Sequence, residues 1–171
     1  FAGRALGRAN TSMVWHAATD RLLALFEVDT PYALKLDTLA TEGKVEAFGG
    51  DALRYPSFTA HPKVCPVTGE LWFFGYNHGG QYADGPWFHV GCVSAEGKLT
   101  RSYPVTLPAP VMMHDIAFTR NYVLLYDLNN KYTDPREVMM GQAKAVYDQD
   151  MSLPARFGIL PRSAVDERDI V

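Results

Sequence analysis

Two histidines carry the residue types most able to do chemistry: His61 in TAHPK and His114 in MMHD. Imidazole is the commonest side-chain metal ligand, and it binds in its neutral form. Each of the two stands just ahead of a turn and an apolar, aromatic run, FTAHPKV before ELWFFGY and MMHDIAF before YVLLYD. An ion held there would be shielded from bulk water. On spacing alone an alternative stands: two unrelated buried histidines, each satisfied by backbone hydrogen bonds. His16, in VWH, repeats the position before a turn and an apolar run, whereas His78 and His89, in HGGQYADGPWFH, read as surface or strand-edge residues. Asp115 reads as a turn-former holding backbone amides rather than as an acid catalyst. No Ser-His-Asp arrangement, phosphate loop or HExxH is present.

The elements that must position these residues are short and strand-like. The runs are Ser12–His16, Arg21–Val28, Tyr32–Leu36, Val45–Phe48, Phe58–Val64, Glu70–Tyr76, Trp87–Ser94, Leu99–Tyr103, Met112–Phe118, Tyr122–Asp127 and Ala155–Leu160. One helix is expected over Pro135–Tyr147, with Asp134 as N-cap and Pro135 at the first helical position. Three hairpins, HAATDRLLALFE, HPKVCPVTGELWFFGY and HDIAFTRNYVLLYD, place their histidines 45 and 53 residues apart. That period is about one four-stranded propeller blade. A β-sandwich is the competing all-β fold, but it does not require a recurring His. At about 50 residues per blade the chain supplies about three blades, and closed propellers have about four to eight. A fragment of a longer protein is therefore expected.

The bulk properties narrow the field. Of the 171 residues, 47% are hydrophobic and 20% charged, as in ordinary globular proteins. A net charge of −3 gives no reason to expect nucleic acid. No run reaches the roughly 18–20 apolar residues of a membrane span. Cys65 and Cys92 are too few for a disulfide scaffold and are expected as reduced thiols. FAGRALGRANTS lacks an initiator Met and a signal-peptide core, and RSAVDERDIV stops on apolar Ile170 and Val171. Both ends read as cut, and a cytoplasmic or plastid location fits better than secretion.

ANTSMVWHA at 9–17, LLALFE at 22–27, FTAHPKVCPVTGELWFFGYN at 58–77 and MMHDIAFTRNYVLLYD at 112–127 occur in order. Together they resemble the carotenoid cleavage oxygenases, a family that includes the lignostilbene dioxygenases and the retinoid isomerase of the eye. The resemblance runs from about Ala9 to Arg162. It implies a seven-bladed β-propeller with Fe(II) on its axis, held by four histidines and no carboxylate. His61 matches the first ligand and His114 the second. The third would follow the LPR segment at Leu160–Arg162 and the fourth would lie later still, both beyond Val171, so residues 1–171 would be an incomplete propeller domain. Glu27 matches a carboxylate that accepts a hydrogen bond from a ligand histidine, here His114, and so fixes its tautomer and ring angle. His16 matches a residue with a structural role. Phe26 departs from the Lys of lignostilbene cleavers, and as a substrate-binding residue it suits a flat conjugated chain better than a phenol.

The function implied is oxidative cleavage of a C=C bond of a carotenoid-like or stilbene-like substrate by O2, giving two carbonyl products. Two other functions stay open: an isomerohydrolase of the same family, and a non-catalytic binding propeller. Peripheral membrane contact would come through segments outside this chain.

Overall fold

The computed structural model describes residues 7–54, 57–76 and 86–171, and its regular structure is almost entirely antiparallel strand. The first sheet is a meander of β1 (Ser12–His16), β2 (Arg21–Leu25), β3 (Tyr32–Lys35) and β4 (Thr41–Lys44). A short ribbon of β5 (Ala47–Phe48) and β6 (Asp51–Ala52) follows. The second sheet is again sequential: β7 (Lys63–Val64), β8 (Leu71–Tyr76), β9 (Phe88–Val93) and β10 (Leu99–Val105). The third begins with β11 (Ile116–Phe118) and β12 (Tyr122–Asp127). The chain then makes a hairpin of β13 (Asn130–Tyr132) and β14 (Tyr147–Gln149) around helix α1 (Pro135–Met139). It returns as β15 (Arg156–Pro161) beside β12.

The middle sheet organises the core because its strands are apolar on both faces. Every residue of β8 and β9 is buried. Side chains alternate across a strand, so β8 divides its aromatics between two clusters. Leu71 and Phe73 pack with Leu23, Leu25, Ala33 and Phe58 toward the first sheet. Trp72, Phe74 and Tyr76 pack with Ile116, Val123, Leu125 and Leu160 toward the third. Phe73 stacks on Phe58 at 4.3 Å between centroids, and Phe74 on Phe88 at 5.2 Å. The Phe73 ring lies directly over Gly91, where a Cβ would meet its Cζ at 2.1 Å. Only glycine fits there.

Several sequence expectations need correction. The helix ends at Met139 rather than Tyr147, since Gly141 takes φ +71° and Tyr147 is drawn into pairing with Tyr132. Its start is as expected, with the Asp134 carboxylate accepting the Arg136 N–H at 2.8 Å. Thr41–Lys44, not Val45–Phe48, pairs with β3, and Val45 instead donates its N–H to Pro31 O at 2.8 Å. The Phe58–Val64 run forms a strand only at Lys63–Val64, because Pro62 has no N–H to give a ladder. The Met112–Phe118 run forms one only from Ile116, because His114 sits at φ +64°. His89 is neither at the surface nor at an edge: it is fully buried in β9, between β8 and β10. His78 lies outside the described residues. Cys65 and Cys92 are both buried and free. Among the described residues no helix is long and apolar enough to cross a membrane.

Candidate metal centre

Three irregular segments deliver the side chains. Strand β2 ends at Leu25, so Glu27 lies in the turn after it rather than within a strand. That turn closes through Asp29 N–H to Phe26 O at 3.4 Å, and a lone bridge ties Asp29 to Phe58. The segment from Phe58 then runs beside β8, with Thr59 N–H bonded to Phe74 O at 2.7 Å. His61 follows in the break before Pro62, and its N–H is taken by the Thr59 hydroxyl at 2.9 Å. His114 is the central residue of a γ-turn: Asp115 N–H bonds to Met113 O at 2.8 Å across a positive φ. The His114 N–H is bonded by the Tyr76 hydroxyl at 2.6 Å. Both histidines thus occupy points where the ladder fails and a side-chain oxygen satisfies the backbone.

Their rings come together over Glu27. Glu27 Oε1 lies 3.4 Å from His114 Nδ1 and 3.6 Å from His61 Nε2. The two imidazole centroids are 4.7 Å apart with planes tilted 59°. One ligand atom from each of the three residues falls within 4.8 Å of the others. Metal–ligand bonds of about 2.0–2.2 Å place neighbouring donors roughly 3–4 Å apart, a span the two distances to Glu27 already meet. Both Glu27 oxygens are buried and make no hydrogen bond among the described residues. Burial, with the Asp115 charge behind it, raises the Glu27 carboxyl to about 7. Burial first, and then His114, hold His61 below its ordinary value, which favours the neutral, ligand-competent imidazole. A buried carboxylate that has no hydrogen-bond donor among the described residues and lies beside two imidazoles fits a divalent cation.

The other candidates fall around this group or away from it. Phe26 adjoins Glu27, and the Arg8 guanidinium stands 5.6 Å over its ring. His16 is buried outside the cluster, with Nδ1 at 3.2 Å from the Thr19 hydroxyl. Asp115 accepts the Ile116 N–H at 2.7 Å, and it also pairs with Lys63 Nζ at 2.7 Å, so the residue two past His61 is linked to the residue next to His114. Sequence reasoning did not single out Thr59, Lys63 or Tyr76. The one available signal was the alternation of β8, which sends Tyr76 to the same face as Trp72 and Phe74.

Residues 1–170 match the family model described as retinal pigment epithelial membrane protein. The chain is 40% identical over 164 residues to carotenoid 9,10(9',10')-cleavage dioxygenase 1 of Arabidopsis thaliana, a match covering 94% of this chain and 28% of that protein. It is 36% identical over 154 residues to resveratrol cleavage oxygenase 1 of Botryotinia fuckeliana, covering 90% and 26% respectively. The lignostilbene dioxygenase of Pseudomonas brassicacearum superposes with a TM-score of 0.73 at 30% identity, over 95% of this chain and 32% of that one. The chain spans a little over a quarter of the length of the curated relatives it matches.

Proposed function

Because the chain belongs to the family of the retinal pigment epithelial membrane protein, we propose that it supplies half of an iron centre in a longer dioxygenase. That enzyme splits a C=C bond of an apolar, conjugated substrate with O2 into two carbonyl products. The observation that carries the proposal is the convergence of His61, His114 and buried Glu27 within 4.8 Å. The relatives named above as carotenoid and resveratrol cleavage enzymes support the reaction class. Fe(II), when bound, supplies the one-electron chemistry that lets an alkene react with O2.

The residues of this chain bind and orient. His61 and His114 each offer one imidazole nitrogen, and two further histidines come from outside residues 1–171. With the ion bound, Glu27, here 3.4 Å from His114 Nδ1, would accept that N–H and leave Nε2 for the ion. Phe26 forms part of an aromatic wall against the flat substrate. The three main sheets are about three blades of a seven-bladed propeller, and residues 1–171 are an incomplete domain of it. A second reading of Glu27 rests on its 3.6 Å approach to His61 Nε2: two histidines and one carboxylate are also the ligand set of the facial-triad iron oxygenases. Glu27→Gln separates the two, since loss of a direct ligand abolishes iron binding and loss of an orienting group only weakens it.

The test uses the whole protein loaded with Fe(II) and offered a carotenoid, an apocarotenoid and resveratrol under isotopically labelled O2. Label in both carbonyl products is expected. An isomerohydrolase would leave its products unlabelled by O2. Iron-loaded protein that cleaves none of the three would overturn the proposal.

A further inference from the structure

We propose that Tyr76 is a positioning residue of this centre, its phenolic oxygen holding His114 in the turn that aims the imidazole at Glu27 and His61. The inference rests on the metal-centre reading above and adds a residue to it. His114 stands at φ +64°, a region that residues with a side chain seldom occupy. The γ-turn built on it, closed by Asp115 N–H to Met113 O, is the strained hand of that turn. Such conformations persist only where the surroundings over-determine them. The turn uses the N–H of Asp115 but leaves that of His114 without a partner in the turn itself. This N–H is part-buried beside the buried Met113, although the His114 side chain is 56% exposed. An unpaired N–H there would pull the backbone toward another conformation.

Tyr76 removes that pull. Its hydroxyl oxygen accepts the His114 N–H at 2.6 Å across 38 residues of sequence. The phenol is well anchored: Tyr76 is 4% exposed, and its ring meets the Phe74 and Phe88 rings at 5.5 and 6.2 Å. Alternation along β8 sends it toward the third sheet, where the His114 turn begins. Tyr76 touches the backbone of His114 rather than its ring, so its role is to set direction. Thr59 does the same for the His61 N–H, from the segment lying beside β8. Strand β8 and the segment lying beside it therefore supply the acceptor that fixes each histidine.

The experiment compares the whole protein with Tyr76→Phe and with Tyr103→Phe. Tyr103 is a buried tyrosine of β10 whose hydroxyl has no hydrogen-bond partner among the described residues. Co(II) is loaded as the probe. Its release to a chelator, its visible absorption bands and the melting of the metal-free proteins are measured. Tyr76→Phe should release Co(II) about 10–100-fold faster and shift the bands, the usual scale for a lost outer partner of a metal ligand. Its metal-free melting should fall somewhat further than that of Tyr103→Phe, by the loss of one hydrogen bond, while Tyr103→Phe should leave Co(II) release and the bands unchanged. Unchanged release and unchanged bands in Tyr76→Phe would overturn the assignment while leaving the metal centre intact. A wild-type protein that binds no Co(II) would overturn the metal centre itself, and this inference with it. Should Tyr76→Phe fail to fold, amide exchange in the wild-type metal-free protein decides. The His114 amide should exchange as slowly as those of β8, and fast exchange there overturns the assignment.

Discussion

A carboxylate whose two oxygens are buried without a hydrogen bond among the described residues is held against its own solvation, and Glu27 registers this in its proton affinity. Burial and Asp115 raise it from an ordinary 4.5 to about 7. Between those two values the folded, metal-free protein keeps a proton that the unfolded chain has lost. Its stability therefore falls as pH rises from about 4.5 to about 7. Denaturant melts of the metal-free whole protein should show that slope, and Glu27→Gln should flatten it. A bound cation favours the ionised carboxylate, so metal affinity should weaken as pH drops through about 7. Calorimetric titration across that range should show proton release on binding, less of it in Glu27→Gln, with metal retention reduced about 10–100-fold in the variant. Phe26→Ala should raise KM for a polyene several-fold with a smaller change in kcat, read from steady-state kinetics of the iron-loaded enzyme.

Elements in this fold are joined by a few polar clamps as well as by apolar faces. Arg162, directly after β15, reaches the turn ahead of β8 and pairs there with the Glu70 carboxylate. It also donates to the Thr68 hydroxyl at 3.0 Å and to Arg120 O at 3.1 Å, with its guanidinium 5.5 Å over the Phe118 ring. A lysine has no fork to make these bonds together. Arg162→Lys should cost about 1–3 kcal/mol in chemical denaturation, as expected for lost charge-assisted hydrogen bonds. Burial pushes the Glu70 carboxyl up, but hydrogen bonds from Arg162 and Thr68 outweigh it and hold Glu70 below its ordinary 4.5. Glu70 therefore stabilises the fold above that value, and the contribution is lost as pH falls through the depressed one. Arg162→Lys should lessen the protein's sensitivity to acid in the same melts.

At the scale of the molecule, the centre is assembled from three sheets. Glu27 comes from the turn between β2 and β3 of the first sheet, His61 from just ahead of the second and His114 from just ahead of the third. Phe73 and Phe74 lie on opposite faces of β8 and fasten the two interfaces. Phe73→Ala or Phe74→Ala should each cost about 3–5 kcal/mol in stability. Either change loosens one interface on which the residue trio depends. The isolated 171-residue chain, holding half of the proposed ligands, should bind Fe(II) weakly in equilibrium dialysis and cleave no substrate. Tight, stoichiometric iron with turnover in that piece would show that residues 1–171 form a complete site.

Much of this was legible along the chain because short apolar runs bounded by turn and cap signals are local. LWFFGY, FHVGCV and YVLLYD announce their strands, and Asp134–Pro135 announces a helix start, since each signal lies within a few residues of its effect. Pro62 stood in plain view as a reason for the strand to break after His61. The residue types and motifs around His61, His114 and Glu27 marked them as a group, but nothing local gave their distances. The length of the helix depended on Tyr132 pairing with Tyr147, and the burial of His89 on its strand lying inside a sheet. The left-handed turn at His114 depended on a tyrosine 38 residues away. Hydrophobic periodicity is written residue by residue, whereas a backbone N–H between two sheets finds its acceptor only once those sheets have packed.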